Sequence, residues 1–330
     1  MNNLKIGILG SGSWATAIIK ILQMNKIPVW WYVRNEEVIE HIKLYGANPK
    51  YLTSADLNAD LLTMSTSIDE VAENSNILIL AIPSAFLREA IEHISVDISH
   101  KYFITTIKGL IPRENLLISD YLKKYLNVPA SQIACIVGPC HAEEVAQERL
   151  SYLTVAGSNP ELNSFLTTCL HCRFIETVVS PDIDGAEYAS VMKNIYAVAA
   201  GVSHGLGYGD NYMAVLISNA AQEMERFLKV LIPAERDIKD SAYLGDLLVT
   251  SYSQFSRNRT FGSLIGKGHS VRAAQAEMLM IAEGYYAAQS IFEINQTAKA
   301  SIPIVDAIYS ILYKRENPGR AFSRLNKLLR

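Results

Sequence analysis

The chain has 330 residues, 49% hydrophobic and 19% charged, which is a globular rather than a disordered composition and long enough for two domains. A formal net charge of -3 and a pI of about 6.2, with no long basic run, argue against nucleic acid or an anionic membrane as partner. No stretch approaches the roughly 20 apolar residues of a membrane span, and "LKIGIL" is too short for a signal segment, so a soluble, cytoplasmic protein without a membrane span is expected.

In chain order, short apolar runs read as strands at 5–9, 29–33, 77–82, 102–107, 133–137, 152–156 and 173–179. Helical patterns separate several of them, for instance Ser13 to Gln23 and Ala85 to His93. Continuous apolar strands alternating with helices predict a parallel, doubly wound α/β sheet covered on both faces. The pattern changes near Pro181. From Asp184 onward helical periods dominate, at 185–204, 211–229, 270–278, 283–298 and 301–314, while "NPKYL" (48–52) and "NPGR" (317–320) read as loops. The expected architecture is a Rossmann-like nucleotide-binding domain over 1–180 and an all-α substrate and catalytic domain over 181–330, with the cleft between them as the default site.

The first strand runs into "GILGSGSWA". Gly10 permits a tight turn, and Gly12 lets backbone N–H groups approach a pyrophosphate at a helix N-terminus. Ala15 replaces the last glycine of the usual G-x-G-x-x-G, a position that need only be small for helix and sheet to pack closely. The second strand ends in "WYVRN". Arg34 stands where an NAD-specific site would place an acid on the ribose hydroxyl. A guanidinium stacks on adenine and pairs with a 2′-phosphate, which favours NADP(H) or dual use. Glu36 and Glu37 follow closely and keep NAD(H) open.

Three later segments carry chemistry. "TTIKGL" places Lys108 just past a strand, at the sheet edge where such sites lie. In "EYASVMKNIYAVAAGV" one helical face is apolar, and Lys193 lies opposite, among Ala189, Ser190, Asn194, Ala197 and Gly201. A solvated face carries several charges; a single ammonium among small residues predicts a second buried surface with a cation in it. "LGDLLVTSYSQFSRNRTFG" offers Asp246, Ser256, Arg257, Asn258 and Arg259, a set suited to a phosphate or carboxylate. The cysteines, Cys135, Cys140, Cys169 and Cys172, include a "CLHC" with no second C-x-x-C, so free thiols are expected and no metal site.

Taken with "GPCHAEEVA", "VMKNIYAVAAG", "GLGYGDN" and "AEGYYAA", these segments make the chain resemble, nearly end to end, the NAD(P)-dependent glycerol-3-phosphate dehydrogenases of the bacterial type. The resemblance implies reversible hydride transfer between a nicotinamide cofactor and a small phosphorylated triose, interconverting sn-glycerol 3-phosphate and dihydroxyacetone phosphate and feeding glycerophospholipid synthesis, in a homodimer. It implies that Lys193 is the catalytic acid/base and that Lys108 touches cofactor and substrate. Gly138, Cys140, Asp246, Ser256, Arg257 and Asn258 fall in the substrate set. Ser13, Trp14, Arg34, Ala142, Arg257, Ile281 and Glu283 join Gly10 and Gly12 in the cofactor set. Four positions depart from the pattern: Cys140 replaces a hydroxyl residue, His204 an acid and Asn219 an arginine, and "QERLSYLT" lacks the usual G-x-P-T. A dehydrogenase of the same architecture acting on a non-phosphorylated ketone or hydroxy acid, and a non-catalytic NAD(P) sensor, are the alternative readings. The sensor would have no need of Lys193, Lys108 and Asp246 together.

Overall fold

The structure, a computed structural model, describes residues 4–278 and 282–330. The chain divides into two compact units: Met1–Ile107 with Ile118–Ile183, and Lys108–Leu117 with Asp184–Arg330.

The first unit holds strands β1 (Ile6–Leu9), β2 (Val29–Tyr32), β3 (Leu62–Ser65), β4 (Ile77–Leu80), β5 (Tyr102–Thr105), β6 (Ile133–Val137), β7 (Ser151–Gly157) and β8 (Ile175–Ser180). Its helices are α1 (Ser13–Met24), α2 (Glu36–Tyr45), α3 (Ile68–Glu73), α4 (Ser84–Glu92), α5 (Ile118–Leu126), α6 (Ala142–Ala146) and α7 (Pro160–Leu170). The strands form one sheet in the order β3-β2-β1-β4-β5-β6-β7-β8. Reversal of strand order on either side of β1 is the doubly wound pattern, with a topological switch point beside the first glycine turn. Ile6, Ile8, Ile77, Ile79, Ile104 and Ile136 are buried against Ile18, Ile19 and Ile21 of α1, which explains why these strands read as unbroken apolar runs.

Two features of this sheet differ from the sequence expectation. Strand β3, "LTMS", is short and only half-buried, so it lacks the apolar run that marks its neighbours. The sheet is also not wholly parallel, since β7 runs antiparallel to β6, with Val137 opposite Thr154. A parallel return needs a crossover that spans the sheet. The Gly138 to Leu150 connection, which holds α6, instead brings the chain back beside β6 in the opposite direction.

The second unit is helical: α8 (Ile183–Gly205), α9 (Asp210–Leu231), α10 (Asp246–Tyr252), α11 (Arg257–Gly266), α12 (Val271–Glu277), α13 (Glu283–Ala298), α14 (Pro303–Tyr313) and α15 (Pro318–Leu325). "NPGR", expected as a loop, opens α15: Asn317 accepts from the Arg320 N–H as its cap, and Pro318 occupies the first turn, where its missing N–H is harmless. Helix α8 is buried continuously from Gly185 to Ser203. Both the apolar face and the small-residue face with Lys193 are therefore covered, as the lone charge predicted. Helix α11 covers part of that surface by backbone contact. A Cβ on Gly201 would meet the Arg259 carbonyl oxygen at 2.0 Å, and one on Gly262 would meet that of Val198 at 2.1 Å. No helix among the described residues is long and apolar enough to cross a membrane.

Candidate active site

In the first unit the glycine turn is held by side chains from two other elements. Gly10 adopts φ 123°, and a Cβ there would strike the Ala81 carbonyl oxygen at 2.4 Å, so only glycine fits. Trp31 Nε1 donates to the Gly10 carbonyl at 2.7 Å. Asn48 is fully buried; its Nδ2 donates to the Ser11 carbonyl at 3.1 Å and to Thr16 Oγ1 at 3.0 Å. The turn is thus fixed before any ligand arrives. Asn48 opens the "NPKYL" segment, and its role is invisible in sequence because the partner lies in another loop.

Gly12 is the cap residue of α1, with no side-chain cap bond and nothing within 4 Å of where a Cβ would stand. The first N–H groups of α1 have no partner within the helix and carry its positive dipole end. An open glycine edge over such a helix start fits a pyrophosphate, so Gly10, Gly12, Ser13 and Trp14 suit the phosphate-bearing part of a dinucleotide. Ala15 is fully buried, consistent with the need for a small residue there. Arg34 is exposed just past β2, and Asn35 caps α2 by accepting from the Glu37 N–H. Gly138, with φ 122°, ends β6; a Cβ there would meet the Tyr152 carbonyl oxygen at 2.8 Å. Cys140 and Ala142, at the start of α6, are buried. None of the four cysteines is in a disulfide, and Cys172 alone is not buried.

In the second unit three charged groups converge. Lys193 on α8 and Asp246 at the start of α10 are 3% and 1% exposed, and the Lys193 ammonium donates to Asp246 Oδ1. Lys108 Nζ lies 4.0 Å from the other carboxylate oxygen, Oδ2. One acid thus faces two cations, leaving a net positive charge for an anionic ligand or a developing oxyanion. Thr250 Oγ1, one helical turn along, donates to the Asp246 carbonyl at 2.6 Å and lies 3.4 Å from Oδ1. Its spacing of four from Asp246 on α10 was the available sequence signal.

Burial lowers the Lys193 pKa from its ordinary 10.5 to about 7. Desolvation is the main cause; Asp246 opposes it and Lys108 adds to it. An ammonium poised near neutrality can both give and take a proton.

Ser256 caps α11, its Oγ accepting from the Arg259 N–H at 3.3 Å. Arg257 is exposed and Asn258 buried at the start of that helix. Asn258 Nδ2 donates to Asn194 Oδ1 at 2.8 Å, and Asn194 Nδ2 donates to the Lys108 carbonyl at 2.8 Å. The structure therefore gathers Lys108, Lys193, Asp246 and Asn258 around one point of α8. Glu283 is half-buried in the first turn of α13; Ile281 lies outside the described residues. His204 is exposed, and Asn219 is buried, with Nδ2 donating to the carbonyls of Val215 and Arg330.

Residues 5–163 match the family model described as NAD-dependent glycerol-3-phosphate dehydrogenase N-terminus, and residues 182–323 match the corresponding C-terminus model. The chain is 31% identical over 313 residues to a glycerol-3-phosphate dehydrogenase [NAD(P)+] of Chlorobium limicola, covering 94% of each chain. It is 33% identical over 324 residues to that of Halothermothrix orenii, covering 97% of this chain and 94% of the relative. The crystal structure of glycerol-3-phosphate dehydrogenase from Coxiella burnetii superposes with a TM-score of 0.89 at 27% identity over 98% of each chain.

Proposed function

The chain belongs to the NAD-dependent glycerol-3-phosphate dehydrogenase family, and on that premise we propose how its residues divide the work of interconverting sn-glycerol 3-phosphate and dihydroxyacetone phosphate. The protein is a nicotinamide-dependent oxidoreductase. The single observation that carries the assignment of roles is the buried Lys193–Asp246 pair with Lys108 4.0 Å from the same carboxylate.

Gly10, Gly12, Ser13 and Trp14 would hold the cofactor, which when bound would supply the hydride. In the reducing direction C2 of the ketone gains that hydride and its oxygen becomes anionic. Lys193 gives its ammonium proton to this oxygen and becomes a neutral amine, which solvent reprotonates. The reverse reaction uses the amine as base. Asp246 orients the ammonium and keeps its pKa from falling further, and Lys108 adds positive charge where the oxyanion forms. Arg257 and Asn258 grip the phosphate, and that remote attachment fixes the carbonyl against the proton donor. Gly138, Cys140 and Ser256 complete the substrate set; Ala142, Ile281 and Glu283, with Lys108 and Arg257, complete the cofactor set.

Arg34 favours NADP(H), with NAD(H) as an alternative, and no metal enters the scheme. Most of the cofactor set lies in 1–180 and most of the substrate set in 181–330; Gly138 and Cys140 are substrate residues in the former, and Arg257, Ile281 and Glu283 cofactor residues in the latter. The reading also takes the enzyme to be a cytoplasmic homodimer whose product feeds glycerophospholipid synthesis; sedimentation velocity decides the dimer.

The test is oxidation of NADPH and NADH with dihydroxyacetone phosphate and with dihydroxyacetone, for the wild type and Lys193→Ala. The substitution should lower kcat by roughly 10²- to 10⁴-fold, the ordinary worth of a placed general acid, while cofactor affinity stays within about twofold. Wild-type turnover in Lys193→Ala would overturn the assignment.

A further inference from the structure

We propose that Asn194, which has no assigned role, is a positioning residue: it sets the main chain at Lys108 and aims the Asn258 amide at the substrate phosphate. This deepens the reading above and rests on its placing of Asn258 at the phosphate.

The chain of bonds runs from one backbone group to another. The Lys108 carbonyl accepts from Asn194 Nδ2 at 2.8 Å, Asn194 Oδ1 accepts from Asn258 Nδ2 at 2.8 Å, and Asn258 Oδ1 accepts from the Gly284 N–H at 2.9 Å. A main-chain carbonyl can only accept and a main-chain N–H can only donate. The two ends therefore dictate which way both amides face; neither can flip without two buried clashes of like polarity. Asn194 and Asn258 are 4% and 8% exposed, so water is a poor substitute for a lost partner. With one hydrogen of Asn258 Nδ2 committed to Asn194, the other is the donor it presents to an anion.

Asn194 is also placed to keep this alignment in step with the chemistry. It follows Lys193 directly on the 23-residue helix α8, so ammonium and amide move as one body. Lys108, in contrast, lies in an irregular segment beyond β5, where regular ladder bonds have ended. The close approach of α13 holds the far end: a Cβ on Gly284 would meet the Asn194 carbonyl oxygen at 2.6 Å.

The experiment measures the phosphate preference, the ratio of kcat/KM for dihydroxyacetone phosphate to that for dihydroxyacetone, in the full-length protein. Asn258→Ala tests the underlying reading and should lower the ratio. Asn194→Ala, which leaves Asn258 without its acceptor, should lower it at least tenfold. The double variant Asn194→Ala/Asn258→Ala should keep the ratio within about threefold of that of Asn258→Ala, because Asn194 reaches the phosphate only through Asn258. General loosening of the helix would lower it further. If Asn258→Ala lowers the ratio and Asn194→Ala does not, or if the two losses multiply in the double variant, the positioning role is overturned while the reading stands. If Asn258→Ala leaves the ratio intact, the phosphate role of Asn258 falls and this proposal with it. Should Asn194→Ala fail to fold, the neutral Asn194→Ser takes its place with the same expectations.

Discussion

Asp246 and Lys108 pull the Lys193 ammonium in opposite directions, so removing either shows how its proton affinity is set. Ketone reduction consumes the ammonium form, and its rate should fall as pH rises through the lowered pKa of about 7; alcohol oxidation consumes the amine and should rise over the same range. Asp246→Asn removes the group that raises this pKa. It should shift the falling limb of reduction to lower pH and reduce kcat at least tenfold, because the ammonium loses its anchor. Lys108→Met removes a neighbouring positive charge and should shift the same limb upward. The pH profile of kcat in the reducing direction checks both, and shifts in a common direction would contradict the geometry.

At the level of elements, two packings invite measurement. The first is the crossing of α8 and α11, where Gly201, Gly205, Gly262 and Gly266 bring backbones together; added Cβ atoms would lie 2.0 to 2.4 Å from opposing carbonyl oxygens. Gly262→Ala must push the helices apart and should destabilise the fold by about 1–3 kcal/mol or more, seen as a lower denaturation midpoint, and should lower activity through the displaced start of α11. The second is Glu223 on α9, fully buried, whose two oxygens accept from the N–H groups of Ile304 and Val305 in the first turn of α14. Burial raises its pKa from 4.5 to about 8; the two N–H bonds and Arg226 oppose the rise, Asp306 adds to it, and the buried Tyr196 phenol stands nearby. A raised folded-state pKa contributes stability that is full below about 4.5 and is lost as pH rises through about 8. Relative to Glu223→Gln, the wild-type melting temperature should therefore decline by several degrees from pH 5 to pH 9, and parallel curves would refute this.

The elements differ in how plainly their sequences announced them. Helix α8 was legible down to its two buried faces, because one lysine among small residues does not make a solvated face. Strand β3 was not, since "LTMS" lacks an apolar run, and the reversal at β7 leaves no mark in that strand's own composition. The lysines and Asp246 stood out by residue type and motif. Asn48 and Asn194 did not, because a buried amide is recognised only by partners far away in the chain.

On the scale of the whole chain, the two units should respond unequally to the two ligands. A ligand binding only the native state stabilises its own unit by about 2.7 kcal/mol at a hundred times its Kd. Hydrogen exchange should thus show NADPH alone slowing amides around Gly10 to Thr16, and glycerol 3-phosphate alone slowing those of Lys108 and the start of α11. Protection of the glycine turn by glycerol 3-phosphate alone would reverse the assignment of roles.

Lys108–Leu117 leaves the sheet after β5, closes on itself through an Ile111–Leu116 bridge, reaches α13 through Asn115 and Glu293, and returns to open α5. Anyone building chimeras from two such enzymes inherits a constraint from this detour. Splicing at a single junction near residue 181 would graft a foreign lysine loop onto a resident helical half. A clean exchange of cofactor preference therefore needs the native decapeptide stitched back into the donor sequence.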